Sequence, residues 1–240
     1  MAEPHTAPAI SIVIPIHNEE AILRVAVLDL VERLSTLPWP YEIVLAENGS
    51  TDRTVQVATE LAERLEGIVC RHTDEPNYGA ALRDGILHAK GEIVICDEID
   101  LCDTDFYERA LALLGDPSVE FVVGSKAMPG AVDRRPFHRR LGTVVINGML
   151  KLTLGFKGTD THGLKAFRTA AVRPIATVCQ IERDLFPSEL VIRAERAGLG
   201  LREIPVRVLE KRPPTIGLAR RVPKVLKDLT KLVIAIRIKR

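Results

Sequence analysis

Short runs of β-branched and aliphatic residues alternate along the chain with longer stretches whose apolar positions recur every three or four residues. That rhythm predicts strands followed by amphipathic helices. Residues 10–16, 42–46, 68–71 and 93–96 read as strands, and residues 19–34, 52–65, 78–89 and 104–114 as the helices after them. Four βα units in succession predict a mainly parallel sheet with helices on both faces, a Rossmann-like α/β arrangement. Ligands of such sheets bind beyond the carboxyl ends of the strands. After a fifth strand at 121–125 the rhythm changes to a long helix at 137–154, a loop at 155–161, a helix at about 183–197 and a strand at 201–208. The second half therefore reads as an elaboration of the same sheet. Residues 220–240 form a further amphipathic pattern, with Val222, Val225, Leu226, Leu229, Leu232 and Val233 on one stripe.

Composition narrows this picture. The 240 residues are 46% hydrophobic, enough for one domain that buries roughly 70–75% of its unfolded surface. The formal charge of +1 gives no reason to expect nucleic acid, but residues 211–240 hold ten Lys or Arg against one acid, Asp228. Cys70, Cys96, Cys102 and Cys179 lack paired spacing, which argues against a zinc site or a disulfide framework and suits a reducing, cytoplasmic setting. The first eight residues carry no apolar signal segment, and no stretch approaches the roughly 20 apolar residues of a membrane span. The expectation is a chain that lies on the cytoplasmic face of a membrane, if it meets one.

The candidate chemistry sits at strand ends. The first strand closes on Pro15, Ile16, His17, Asn18 and Glu19, and the second on Glu47, Asn48, Gly49, Ser50, Thr51 and Asp52. Asn77, Tyr78 and Gly79 open the third helix, and the fourth strand closes on Asp97, Glu98, Ile99 and Asp100. Three carboxylates within four residues are costly unless a cation neutralises them. Asp52 and Thr104 equally suit helix caps, and Asn77 and Gly79 suit a turn as well as a pocket wall.

In this order the segments resemble the GT-A glycosyltransferases of family 2, and among them the dolichyl-phosphate mannosyl- and glucosyltransferase group of polyprenyl-phosphate glycosyltransferases. The resemblance covers about residues 10–229. It implies a GT-A domain over residues 1–219, with a nucleotide-sugar half at about 9–126, an acceptor half at about 127–219 and a basic helix at 220–240. It also implies that Pro15, His17, Asn18, Glu19, Asn48, Ser50, Asn77 and Gly79 surround a nucleoside diphosphate sugar, GDP- or UDP-linked, with Glu47 on the base. Glu98 and Asp100 match the family's metal-binding acids and imply Mg²⁺ or Mn²⁺, with Asp97 as a further candidate. Glu replaces the first Asp of that motif, and Cys102 stands where a Gln is common.

Lys126 after Gly124-Ser125, with Arg139 four residues before Thr143, resembles the acceptor-phosphate segment. Asp160 in Asp160-Thr161-His162-Gly163-Leu164-Lys165 and Glu189 match acids beside the donor sugar. Arg212, in the run Glu210-Lys211-Arg212-Pro213-Pro214-Thr215, stands where the family has a basic, flexible loop that closes over the diphosphate.

The implied reaction moves a hexose, with inversion, to a polyprenyl phosphate, whose phosphate needs no general base at pH 7. A glycan or soluble hydroxyl acceptor would need one, and Asp160 or Glu189 are the candidates. A non-catalytic sugar-nucleotide-binding protein is the alternative from another class. A nucleotidyltransferase is disfavoured, because His17-Asn18-Glu19-Glu20 stands where its glycine-rich phosphate loop belongs. The basic helix at 220–240 either docks on the domain or meets an anionic membrane surface.

Overall fold

The computed structural model describes residues 8–208 and 218–237, with the side chains of the last helix from Lys227 onward. Strands β1 (Ile10–Ile16), β2 (Tyr41–Asn48), β3 (Ile68–Thr73) and β4 (Ile93–Cys96) alternate with helices α1 (Leu23–Leu34), α2 (Thr54–Arg64), α3 (Tyr78–His88) and α4 (Thr104–Leu114), as the pattern predicts. Helix α1 starts later than expected because Ile22 and Leu23 both donate to the Glu19 carbonyl, at 3.0 and 2.9 Å, which folds residues 19–22 into a turn. Asp103, not Thr104, caps α4 by accepting from the Phe106 N–H at 3.1 Å.

The second half comprises β5 (Phe121–Ser125), β6 (Val132–Asp133), α5 (Phe137–Leu154), β7 (Lys165–Arg168), α6 (Thr169–Val178), α7 (Phe186–Arg196), β8 (Leu201–Pro205), β9 (Arg207–Val208) and α8 (Leu218–Arg237). Seven strands form one sheet in the order β3-β2-β1-β4-β7-β5-β8, and β6 pairs with β9 beside it. All neighbours in the large sheet are parallel except β7, which runs against both β4 and β5. Reversal puts the amino end of β7 at the carboxyl edge of the sheet. The loop before this strand, rather than the one after it, therefore borders the cleft.

Alternation on the strands builds two cores. Ile12, Ile14, Ile43 and Leu45 pack with α1, α2 and α4 on one face, while Val13, Val44 and Ala46 pack with α3, α6 and α7 on the other.

Two expectations from the pattern need correction. The single strand at 201–208 divides at Val206, whose N–H donates to Ser125 O at 3.2 Å, so the chain leaves the large sheet and continues as β9. Strand β7 and helix α6 were not expected: β7 has only four residues, and α6 contains Pro174, which ordinarily argues against a helix interior.

The described part of α8 is docked on the domain. Leu229, Leu232, Ala235 and Ile236 are buried against α5 and α7, and Arg193 and Arg196 donate to the Ala235 and Ile236 carbonyls at 3.1 and 3.2 Å, satisfying its last turn. Residues 209–217, Arg212 among them, lie outside the described residues. Among the described residues, no helix is long and apolar enough to cross a membrane.

Candidate active site

The loops after β1 and β2 are laced together by short polar side chains. Asn18 adopts a left-handed backbone (φ 55°), which asparagine tolerates better than most residues. From there its N–H donates to Ser50 Oγ at 2.9 Å, and its Oδ1 accepts from the Thr51 N–H at 2.8 Å. His17 Nδ1 meets Asn48 O at 2.7 Å, and the Glu19 N–H reaches Thr54 Oγ1 at 2.7 Å. Asp52 accepts from the Thr54 and Glu20 N–H groups at 2.9 and 3.3 Å, so it ties the first residue of α2 to the loop after β1. Pro15 lies within β1 opposite Ala46. Asn77 caps α3 and takes the Asn48 side chain on its own N–H. Gly79 packs so closely that an added Cβ would lie 2.5 Å from the Glu182 backbone.

Glu47 is 0% exposed. One oxygen accepts from the Ser50 N–H at 2.7 Å and the other contacts His72 Nδ1. Burial pushes its pKa up, but the Ser50 and His72 hydrogen bonds outweigh that and hold the carboxyl below its usual range. Both Glu47 oxygens are thus engaged within the protein, and His72 is the exposed member of the pair.

At the β4 end the three acids part company. Asp97 is buried and accepts from the Glu98 N–H (2.6 Å), the Asp103 N–H (2.9 Å) and the Tyr107 hydroxyl (2.5 Å). Burial pushes its pKa up to about 7 despite these donors. It is the frame of the loop. Glu98 is exposed and Asp100 half-buried, and no hydrogen bond engages either carboxylate among the described residues. Protein packed around Glu98 raises its pKa, the Asp100 charge raises it further, and Lys126, Lys165 and Arg135 pull it back. Two open carboxylates thus repel each other within electrostatic reach of three cations.

Each of two cations is held by its own carboxylate. Lys126 Nζ lies 3.1 Å from Asp160 Oδ2, with Lys126 9% and Asp160 0% exposed. Asp160 also accepts from the His162 N–H at 2.9 Å. Its burial raises the pKa, but Lys126 and, after it, His162 together reverse this and hold the acid below the ordinary aspartate range. Arg135 makes a two-point pair with Asp133, at 2.9 and 2.6 Å, and reaches Thr143 Oγ1 at 3.2 Å. Arg139 is half-buried on α5, and its carbonyl accepts from the Thr143 hydroxyl at 3.2 Å. Thr143 therefore meets the Arg135 guanidinium and the Arg139 main-chain carbonyl.

Lys165, at the start of β7, is buried with Nζ 2.7 Å from Gly163 O, and burial brings its pKa down to about 8. Burial, together with Lys126 and Lys165, lowers His162 to about 4, so its ring is neutral at pH 7.

Packing of the 155–164 loop explains two motif glycines. A Cβ on Gly163 would fall 1.6 Å from Gly124 O, and one on Gly124 would strike Val206 and Phe106 at 2.6 and 3.0 Å. Glu203 on β8 pins the loop by accepting from the Thr159 N–H (2.7 Å) and hydroxyl (2.8 Å). Glu189 is 0% exposed. It accepts from the Gln180 and Ile181 N–H groups at 2.8 and 2.7 Å and pairs with Arg193 at 2.8 Å. It is a staple between α7 and the segment after α6, and the structure does not bring it to the open acids.

Sequence reasoning singled out none of Glu203, Tyr107 and His72 as site residues, and took Arg135 only as one of a cluster with Arg134, Arg139 and Arg140 that is either a solvated helix start or a phosphate and lipid contact. The partners of Glu203, Tyr107 and His72 are far away in sequence.

Among the described residues, no group of three or more His, Cys, Asp or Glu could hold a metal. Residues 11–173 match the family described as Glycosyl transferase family 2. Among curated relatives, the glycosyltransferase AglD of Haloferax volcanii is 30% identical over 82% of this chain and 32% of its own length. An undecaprenyl-phosphate 4-deoxy-4-formamido-L-arabinose transferase of Edwardsiella ictaluri is 30% identical over 88% of this chain and 63% of its own. A dolichyl-phosphate beta-glucosyltransferase of Trichomonas vaginalis is 28% identical over 82% and 64%. This chain thus spans less than two thirds of each of these relatives. Among solved structures, glucosyl-3-phosphoglycerate synthase of Mycobacterium tuberculosis, in complex with Mn²⁺, UDP and glucosyl-3-phosphoglycerate, superposes with a TM-score of 0.65 at 20% identity, covering 94% of this chain and 80% of that one, which supports the GT-A fold. By the extent of the family match and the order of its strand-end motifs, this chain belongs to glycosyl transferase family 2.

Proposed function

We propose that the chain transfers a hexose from a GDP- or UDP-linked sugar to a polyprenyl phosphate by one in-line displacement, assisted by Mg²⁺ or Mn²⁺, at the cytoplasmic surface of a membrane. The contrast among the acids of the cleft carries this reading. Glu98 and Asp100 stand open beside Lys126, Lys165 and Arg135, whereas Asp97, Asp160 and Glu189 have their oxygens engaged within the protein. A hydroxyl acceptor needs a base. Asp160 is held too acidic by Lys126, and Glu189 is spent on its staple. A phosphate acceptor arrives ionised and needs only positioning.

The open pair fits a divalent ion. It offers hard oxygen donors but too few to close a shell, leaving places for diphosphate oxygens and water. Such an ion would neutralise the departing nucleoside diphosphate. Around it, the laced loops of Asn18, Ser50 and Asn48 fix the nucleoside wall that Glu47 braces. Lys126, Arg135, Arg139 and Thr143 draw in the acceptor phosphate, and Asp160 and Asp133 keep Lys126 and Arg135 from collapsing onto Glu98. Lys165 offsets charge beside the diphosphate, and Arg212, outside the described residues, is a further candidate for the same charge. The relatives named for undecaprenyl and dolichyl phosphate support the acceptor class, and the neighbour solved with Mn²⁺ and UDP supports the donor chemistry.

The test is incubation with Mg²⁺ or Mn²⁺, a panel of sugar nucleotides, and either a polyprenyl phosphate or the matching prenol. A labelled lipid forming from the phosphate alone, and abolished by chelation or by Asp100→Ala, is expected. Transfer to the prenol, or product from neither acceptor, would overturn the reading.

A further inference from the structure

We infer that Arg33, on α1, is a positioning residue for the open acid pair: through the Cys102 carbonyl it fixes the loop that presents Glu98 and Asp100 to a divalent cation. With no hydrogen bond on either carboxylate among the described residues, the placement of both acids falls to the backbone of residues 97–104. Ile99 is buried between them, so one short segment carries both side chains outward.

That segment is a tight turn. The Leu101 and Cys102 N–H groups both donate to Glu98 O, at 2.9 and 3.2 Å. Cys102 then takes a left-handed backbone (φ 46°), which a residue with a side chain adopts only at a cost. Such a conformation persists where its surroundings over-determine it. Three groups do so here. The Cys102 side chain is buried, with Sγ 3.5 Å from Ile99 O. Asp97 holds the turn from within the domain by accepting from the Glu98 and Asp103 N–H groups at 2.6 and 2.9 Å. From α1, Arg33 Nη1 donates to Cys102 O at 2.7 Å and lies 3.5 Å from Thr104 Oγ1.

Arg33 is itself oriented. Its Nη2 pairs with Asp29 Oδ2, one helical turn back, at 2.8 Å, which leaves Nη1 aimed at the turn. The guanidinium works as a fork with a carboxylate on one prong and a carbonyl on the other. Once the carbonyl is released, Cys102 can relax toward an ordinary conformation, and the chain direction changes two residues after Asp100. Groups that hold metal ligands from behind in this way typically account for ten- to a hundredfold in metal affinity. The inference rests on the proposed metal-assisted transfer and deepens it.

The experiment measures Mn²⁺ binding to the full chain, by loss of the free-ion electron paramagnetic resonance signal with UDP or GDP present, together with thermal melts and the transfer assay. Arg33→Met should raise the Kd for Mn²⁺ about tenfold, and leave kcat at saturating Mn²⁺ within about twofold. Arg33→Lys keeps the charge but not the fork and should raise the Kd about threefold; it carries the test if Arg33→Met does not fold. Arg83→Met is the control for a merely structural tie. Arg83 donates to the Ala176 and Thr177 carbonyls at the end of α6, at 2.9 and 2.6 Å. Its loss should lower the melting temperature and leave the Kd for Mn²⁺ unchanged. An unmoved Kd in the Arg33 variants, an equal rise in Arg83→Met, or a kcat that falls at saturating Mn²⁺ while the Kd stays put overturns the inference. So does a wild-type chain that takes up no Mn²⁺ with either nucleotide. Failure of the underlying functional reading looks different: the Kd shift stands while no lipid acceptor is glycosylated from any donor.

Discussion

Replacing Lys126 by Met removes the charge that Asp160 depends on while keeping most of the side-chain volume. The ion pair is 3.1 Å long and Asp160 has no solvent exposure, so the orphaned carboxylate cannot recover hydration. Breaking one side of such a pair costs about 3–5 kcal/mol. Two features lower the figure. The Lys126 and His162 N–H groups still donate to Asp160, at 3.2 and 2.9 Å. The acid can also escape by taking a proton, which for an ordinary aspartate at pH 7 costs about 4 kcal/mol and so sets a ceiling. The expected loss in guanidinium unfolding is therefore about 2–4 kcal/mol at pH 7.

The pH dependence supplies a second check. In the native protein the Asp160 pKa is depressed, so its contribution is present above the ordinary aspartate value and is lost as pH falls through the depressed one. Without Lys126 the main influence opposing burial is gone, so the pKa moves upward. The deficit of the variant should then shrink from pH 7 toward about 5. Adding Asp160→Asn should restore part of the lost stability. A deficit below about 1 kcal/mol at pH 7, or one that grows toward acid, would refute the buried-pair account.

Gly163→Ala would set a Cβ 1.6 Å from Gly124 O. It should cost more than about 4 kcal/mol, seen as loss of soluble protein or of a cooperative melt. Gly142→Ala, in an open helical position, should instead gain about 0.5–1 kcal/mol. Glu189→Gln should lower stability by about 2 kcal/mol, yet leave kcat of the folded protein within about threefold, because a staple is not a base. A fall of about a hundredfold at unchanged stability would make it one. Lys165, brought down to about 8 by burial, should lose its charge as pH rises through that value. Its folded pKa lies below the unfolded one, so stability rises with pH across this window while calorimetric affinity for a nucleoside diphosphate falls. In Lys165→Met the affinity profile should flatten.

The βα half was legible because its strands are continuous β-branched runs and its helices keep a clean period. The acids at the β4 end were legible from crowding alone. What the sequence concealed depends on partners far along the chain. Nothing local marks Glu47 as buried, since His72 comes from the neighbouring strand, and Glu189 on an apparently ordinary helix is interior because the 180–181 backbone folds onto it. Strand β7 was too short for periodicity to register, and Pro174 disguised α6. Arg139 fits its motif by spacing, but which arginine reaches Thr143 depends on the turn before α5, where Asp133 steers Arg135.

The lone reversed strand also acts as a ruler. Because β7 is inserted between β4 and β5, those two strands, from whose ends the open acids and Lys126 lead off, stand two inter-strand spacings apart, about 9–10 Å. That width is fixed by main-chain hydrogen bonding rather than by side-chain choice. Substitutions along the rim can change which groups are presented across the gap, but the gap itself changes only if the sheet does.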